Sequence, residues 1–317
     1  SANRRGGIYV SIVLTASISG NRVDGNLNGG GIHIDLIENG IVAENIIINN
    51  TKSANVKDGI GAGLYLRAYH FSTSSTAVVR NNVISNNTAA TSAGGVLLVY
   101  TDASSLVDLS GASQVDVIEN NLISGNVAPL YGALVAEIDF RGAFKNNTFT
   151  QNRSTLAGSA LISMNAYRGA ITLSQNNWFG NDAAYLVEYK NPVTSAALNA
   201  AGNWWGTTDT TAIERLIYDF NDNGTRGLVA YTAALTSASL TAPLSPPRGL
   251  QVTAGTNSLN LTWTANPEPD VAGYKIYYDR DPVYPYTGSG ASQGVSPIDA
   301  GNVTGATLTG LAPGTYY

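Results

Sequence analysis

Between Ile8 and Trp205 the chain repeats one short pattern. An Asn-Asn pair leads into apolar residues and a further Asn, and a Gly/Ala-rich step then leads into a short apolar run. The Asn half reads Asn81-Asn82-Val83-Ile84-Ser85-Asn86-Asn87, and it recurs around Asn45, Asn120, Asn146 and Asn176. The Gly half reads Gly30-Gly31-Ile32-His33-Ile34, Ala62-Gly63-Leu64-Tyr65-Leu66 and Gly94-Gly95-Val96-Leu97-Leu98. The apolar residues after that step, taken as Ile8, Ile32, Leu64, Val96, Leu134, Leu161 and Leu186, lie 24 to 38 residues apart. A unit of this length buries its apolar face only by stacking on its neighbour, so the repetition implies a solenoid.

Residue types decide which solenoid. Helical repeats need long runs of Ala, Leu, Glu and Lys with a 3.6-residue period, whereas these segments are short and β-branched, as strands are. A third apolar segment precedes each Asn pair (Ile41-Val42-Ala43, Ala77-Val78-Val79, Val115-Asp116-Val117, Ala143-Phe144, Ile171-Thr172-Leu173). Three short strands per repeat predict a right-handed parallel β-helix over residues 1–242. Asparagine suits the corners because it tolerates left-handed backbone, and its amide can bond turn groups or the next Asn. Phe149 and Phe179 are expected to stack inside with Ile47, Ile84 and Ile123.

The pairing of a Gly-Gly-apolar step with an Ile/Phe-x-x-Asn step resembles the repeats of chlamydial polymorphic outer-membrane proteins and related bacterial surface β-helices of the pectin-lyase-like superfamily. The segment Asn203-Trp204-Trp205-Gly206-Thr207-Thr208-Asp209, with Ile213, Ile217-Tyr218-Asp219 and Gly227-Leu228-Val229-Ala230-Tyr231 after it, is similar to the closing coil of secreted bacterial β-helix proteins. The resemblance implies that residues 203–236 cap the open end with a short helix, Thr210 to Ile217, and a last strand. Asp209 or Thr210 would be its N-cap.

Composition changes after Ser237, where Pro243, Pro246 and Pro247 predict a linker over 243–247. Beyond it the chain alternates as a β-sandwich does: Leu250-Gln251-Val252, Leu259-Asn260-Leu261-Thr262-Trp263, Gly273-Tyr274-Lys275-Ile276-Tyr277-Tyr278. Residues 248–317 resemble a fibronectin type III domain, with Trp263 in the core role and Leu311–Tyr317 approaching the tyrosine corner. That motif puts Tyr317 in the corner, so the domain is expected to be incomplete at its C-terminus. The Pro-, Gly- and Tyr-rich stretch Asp279 to Asn302 reads as a long loop. The fold class expected is all-β, a parallel β-helix followed by an incomplete fibronectin type III sandwich.

The chain has no Cys, five Lys, 12% charged residues and a net charge of −5. This balance excludes a nucleic-acid footprint, and no apolar run reaches membrane-spanning length. A chain without thiols is compatible with an extracellular setting. Starting mid-pattern without Met or a signal peptide, it reads as a fragment of a secreted or cell-surface protein.

Alternation after the Gly step sends Ile8, Ile32, Leu64, Val96 and Leu134 inward. Tyr9, His33, Tyr65, Leu97, Val135 and Ile162 then form an outward ladder, with Asp35, Arg67, Val99 and Glu137 two residues further on. Exposed Tyr9, His33 and Tyr65 would stack sugar rings, and Asp35, Arg67 and Glu137 would bond their hydroxyls. The competing reading is that the insertions Ala68–Thr76 and Tyr100–Gln114 fold over this face and bury its apolar part.

Pectate lyases and polygalacturonases cluster Asp, Arg, Lys or His on one face, because uronic-acid chemistry needs calcium with a strong base or paired carboxylates. None of their motifs is present, and His33 and His70 fall in different repeats. If the chain is a polysaccharide lyase or glycoside hydrolase, Asp35, Arg67 and Glu137 are the residues to carry it. Asp219-Phe220-Asn221-Asp222-Asn223-Gly224 matches the first half of an EF-hand loop, but Ala230 replaces the bidentate Glu at its twelfth position. Asp219, Asn221 and Asn223 are thus a weak calcium candidate, and no other cofactor is expected.

The function expected is a non-catalytic, adhesin-like or carbohydrate-binding stalk. It would act as a monomer on a glycan or a host or cell-surface component. A polysaccharide-active enzyme and a purely structural spacer remain the alternatives.

Overall fold

The computed structural model describes residues 7–54, 61–69, 76–101, 116–138, 142–165 and 171–317. The side chains of residues 12, 13, 36, 37, 69, 100, 101, 137 and 138 lie outside the described set, as do His70 and most of both insertions. The protein is all-β, and its chain divides into two compact units, Ser1–Pro243 and Leu244–Tyr317.

In the first unit the repeats pair with one another in parallel. Among the described residues the face after the Gly step runs through Ile8–Ser19, Ile32–Ala43, Leu64–Tyr69, Val96–Thr101, Leu134–Ile138, Ala160–Asn165, Tyr185–Tyr189 and Ile217–Tyr218. The far half of Ile32–Ala43 continues into a second ladder of Thr76–Arg80, Asp116–Glu119, Gly142–Lys145, Ile171–Ser174, Leu198–Asn199 and Val229–Ala230. A third sheet joins Arg22–Asp24, Ile46–Ile48, Val83–Ser85, Leu122–Ser124, Thr148–Thr150 and Asn177–Phe179. Two-residue strands from Thr51–Lys52 to Arg153–Ser154 make a fourth.

Two asparagine ladders hold the corners. Asn21, Asn45, Asn82, Asn121, Asn147, Asn176 and Asn203 succeed one another, each donating its backbone N–H and its amide Nδ2 to the Oδ1 of the next. Asn26, Asn50, Asn87, Asn126, Asn152 and Asn181 do the same. The residue before each ladder Asn is left-handed: Asn81, Asn120, Asn146 and Gln175 have φ of 54 to 56°. The members from Asn45 to Asn203 and from Asn50 to Asn152 are almost wholly buried, so each amide satisfies turn groups that water does not reach.

Gln175, not Asn176, takes the left-handed position in its repeat, and this corrects the expected stack. The aligned column is Ile47, Ile84, Ile123, Phe149 and Trp178. All five are fully buried, and Phe149 stacks on Trp178 at 4.2 Å between ring centroids. Phe179 pairs with Thr150 and is only half-buried.

A similar shift applies after the Gly step. Leu134 pairs with Ile162 and Ile162 with Val187, so Leu161 and Leu186 occupy the corner column of Gly31, Gly63, Gly95 and Ala133. A Cβ on Gly31 would meet Ile47 and the carbonyl of Gly63. That crowding accounts for the small residues in the early repeats. In the later repeats Leu161 and Leu186 take that column, and both are buried.

The predicted helix is shorter than expected. It spans Thr210–Glu214, with Asp209 as N-cap accepting from the N–H groups of Thr211 and Ala212. Ile217 leaves it to pair with Val187.

The second unit has a three-stranded antiparallel sheet, Arg248–Gly255, Ser258–Thr264 and Gly305–Thr309, and a two-stranded one, Tyr274–Ile276 with Ile298–Gly301. The stretch read as a long loop therefore contributes a strand. Trp263, Ile276, Tyr278, Leu308 and Leu311 form the core. Ser245, expected in the linker, is buried and bonds Glu268 through its N–H and hydroxyl. Tyr317 is 53% exposed, and it is the Tyr316 hydroxyl that donates to the Ala312 carbonyl.

Candidate functional site

Register aligns the outward column as Tyr9, His33, Tyr65, Leu97, Val135, Ser163, Glu188 and Tyr218. Ile162, expected in this column, faces the core instead and is fully buried. Tyr9, His33 and Tyr65 do stack, at 4.9 and 4.2 Å between ring centroids. They are not a row of exposed platforms, however. Tyr9 is 53% exposed, but His33 and Tyr65 are only 4% and 9% exposed. Tyr65, Leu97 and Val135 pack with Ala93, Val99 and Tyr131. The insertions expected to cover them lie largely outside the described residues.

Asp35 and Arg67 meet, with a carboxylate oxygen 2.6 Å from the guanidinium. Asp35 is buried while Arg67 keeps about a third of its surface, so the two make a half-buried ion pair between register partners on adjacent strands. Val99 separates Arg67 from Glu137 in the register, and the Glu137 side chain lies outside the described residues. Asp35 and Glu137 are thus three strand spacings apart, about 14 Å. Paired carboxylates for glycoside hydrolysis stand about 5 to 9.5 Å apart. The register does not bring these two together for that reaction.

The open part of the column lies at its other end. Glu188 Oε2 accepts from the Tyr131 hydroxyl at 2.7 Å, and Glu188 Oε1 lies 3.5 Å from Arg226 Nη2. Lys190 Nζ is 4.0 Å from Glu188 and 4.5 Å from the centroid of the Tyr131 ring. Arg226 Nη1 donates to the Lys190 carbonyl at 3.1 Å. Tyr185 and Tyr218 stand beside them with ring centroids 5.1 Å apart and planes tilted by 56°. Tyr131, Leu156, Tyr185, Glu188, Tyr218 and Arg226 line a cleft of about 340 Å³, within the about 300–1,000 Å³ usual for small-molecule sites. None of these residues was expected from sequence. The available signal was the ladder itself, which reaches Glu188 and Tyr218 once Leu161 and Leu186 are moved to the corner column.

The calcium candidate is occupied by its own backbone. Asp219 Oδ1 accepts from Asn221 N–H and Oδ2 from Val229 N–H, while Asn223 Oδ1 accepts from the N–H and hydroxyl of Thr225. Asn221 Nδ2 donates to Glu214. Burial pushes the Asp219 carboxyl up against the lowering by those two N–H groups. Asp219, Asn221 and Asn223 therefore fit an Asx-turn loop better than a cation site. Among the described residues no group of three or more His, Asp or Glu is placed to hold a metal.

The second unit holds a cavity of about 470 Å³ against Leu250, Leu261, Trp263, Tyr274 and Ile276. It is the apolar inner side of the sandwich and brings no charged pair together.

The C-terminal unit is the part of this all-β chain that a known family accounts for. Residues 245–317 match the fibronectin type III domain family, whose members typically occur in extracellular or surface proteins. The match covers that unit alone. Comparison with curated proteins and with solved structures gives no match. Among the described residues no helix is long and apolar enough to cross a membrane.

Proposed function

We propose that this chain is part of a bacterial secreted or cell-surface protein, a glycan-binding stalk in which a right-handed parallel β-helix precedes a fibronectin type III domain. Parallel in-register pairing of successive repeats and the two asparagine ladders support the β-helix and its likeness to pectin-lyase-like surface proteins. The single observation that carries the binding reading is the cleft at Glu188. There three tyrosines surround one carboxylate and two cations at an open end of the outward column.

Aromatic walls with a few convergent polar groups suit a sugar, whose ring faces are apolar and whose edges are hydroxyls. The cleft carries one carboxylate, already bonded to a phenol and facing two cations. That arrangement favours holding a ligand over acid–base turnover. Among the sequence-derived residues, Tyr9 retains the exposure that stacking needs. His33, Tyr65 and Asp35 support the face from within.

A glycan array paired with a reducing-sugar release assay tests the reading. The expected result is binding without release. Release by the wild-type protein would replace the stalk with a polysaccharide-active enzyme, and the absence of any binding would leave a structural spacer.

A further inference from the structure

Resting on the glycan-binding reading, we infer that the Glu188 cleft selects a neutral sugar presenting two adjacent hydroxyls and discriminates against sugar acids. Three features carry this. The first is how the polar groups are already used. Glu188 Oε2 is taken by the Tyr131 hydroxyl at 2.7 Å, whereas Oε1 has only the long 3.5 Å approach of Arg226 Nη2. Arg226 Nη1 is held by the Lys190 carbonyl, and the Lys190 ammonium lies over the Tyr131 ring. The cleft therefore presents one acceptor, Glu188 Oε1, and one donor, Arg226 Nη2, side by side.

The second feature is the match to a vicinal diol. One hydroxyl donates to Glu188 Oε1 and its neighbour accepts from Arg226 Nη2, so a single sugar edge satisfies both groups with charge-assisted hydrogen bonds. A uronic acid keeps such a diol, but its carboxylate, where it takes the guanidinium, offers no proton to Oε1. It would also place a second negative charge beside Glu188 in a half-buried site, where like charges repel more strongly than in water. The charges do not reverse this. Lys190 and Arg226 against Glu188 sum to +1, but both cations already lie within 4.0 Å of that carboxylate.

The third feature is the wall. Tyr185 and Tyr218 are half-buried and tilted, offering ring faces of the size of a pyranose, and Leu156, 54% exposed, shares the cleft lining with them. A volume near 340 Å³ suits a monosaccharide or disaccharide and not a long polymer lying flat.

The experiment is an NMR or calorimetric titration of the full chain with methyl glucoside, methyl galactoside, methyl mannoside and their disaccharides, against glucuronate and galacturonate. At least one neutral sugar should bind more tightly than either acid. Tyr218→Ala and Glu188→Gln should each weaken it about tenfold with the circular dichroism spectrum unchanged. Glu188→Gln should also narrow the gap between neutral sugar and acid, which a merely structural loss would not do. Leu240→Ala, at an exposed residue of the same unit outside the cleft lining, should leave binding unchanged and guards against a folding artefact. Equal or tighter binding of the acids by the wild type would overturn the selectivity. Neutral-sugar binding that survives both Glu188→Gln and Tyr218→Ala would overturn the site while leaving the glycan-binding reading intact. Failure of every sugar to bind would overturn both.

Discussion

Asn121 sits in the middle of the first asparagine ladder, and its replacement by alanine is the sharpest test of what holds the repeats in register. Its Oδ1 accepts from the backbone N–H and the amide of Asn82 at 3.0 and 2.9 Å. Its Nδ2 donates to the carbonyls of Val79 and Glu119 and to Asn147 Oδ1, at 2.9 to 3.0 Å. In Asn121→Ala, Asn147 Oδ1 keeps its bond from the backbone N–H of residue 121, and the Asn82 amide keeps the Val42 and Arg80 carbonyls. The Asn82 N–H keeps nothing, and at 1% and 0% exposure of Asn82 and Asn121 water cannot replace the acceptor.

One orphaned buried donor costs about 1–3 kcal/mol, and each other lost bond about 0.5–1.5 kcal/mol. With four other bonds lost, the expected loss is therefore at least about 3 kcal/mol. Urea unfolding followed by tryptophan fluorescence measures it, since Trp178, Trp204 and Trp205 all lie in the first unit. Asn120→Gly is the control. Asn120 has φ 54° and takes no ladder bond, and glycine suits that backbone, so its effect should stay within about 0.5 kcal/mol. A loss below about 1 kcal/mol for Asn121→Ala, or equal losses for the two variants, would refute the ladder as the element that fixes register.

Phe149→Ala removes a fully buried ring packed 4.2 Å from Trp178 and should cost about 3–5 kcal/mol in the same unfolding assay. A cost under about 1 kcal/mol would mean that the stack does not exist. Ser163 is fully buried in the outward column, and among the described residues its hydroxyl has no hydrogen-bond partner. Ser163→Ala should therefore be neutral or raise stability by up to about 1 kcal/mol, and a clear loss would reveal an unseen partner. The Tyr231 phenol is pushed up to about 12, first by its hydrogen bond to the Glu214 carboxylate and then by burial. A tyrosine raised above its ordinary value of about 10 contributes stability that is complete below pH 10 and lost as pH rises from about 10 to 12. Burial raises the Tyr189 phenol as well, so absorbance titration near 295 nm should show late phenols of which one, Tyr231, returns toward 10 in Glu214→Gln, and identical curves would contradict the contact.

The all-β character, the repeat and the corner asparagines were legible in the chain because they depend on residue type and spacing. β-branched residues prefer strands, asparagine tolerates left-handed backbone, and a residue such as Ile47 or Ile84 faces inward by alternation alone. Trp263 and the Leu311 to Tyr317 motif likewise marked the domain that the family match supports.

Register and burial were not legible. At Gln175 and Leu161 the chain substitutes the marker residues themselves, an Asn replaced by Gln and a Gly by Leu. Each substitution displaced the reading by one residue and hid Trp178, Ser163 and Glu188 from their columns. Alternation also tells which way His33, Tyr65 and Asp35 point, but not what packs over them. The Glu188 cleft is assembled from Tyr131, Glu188 and Arg226, three positions on separate passes of the chain. Their proximity depends on how many residues lie between passes and where each pass turns, and the packing of the whole unit decides that.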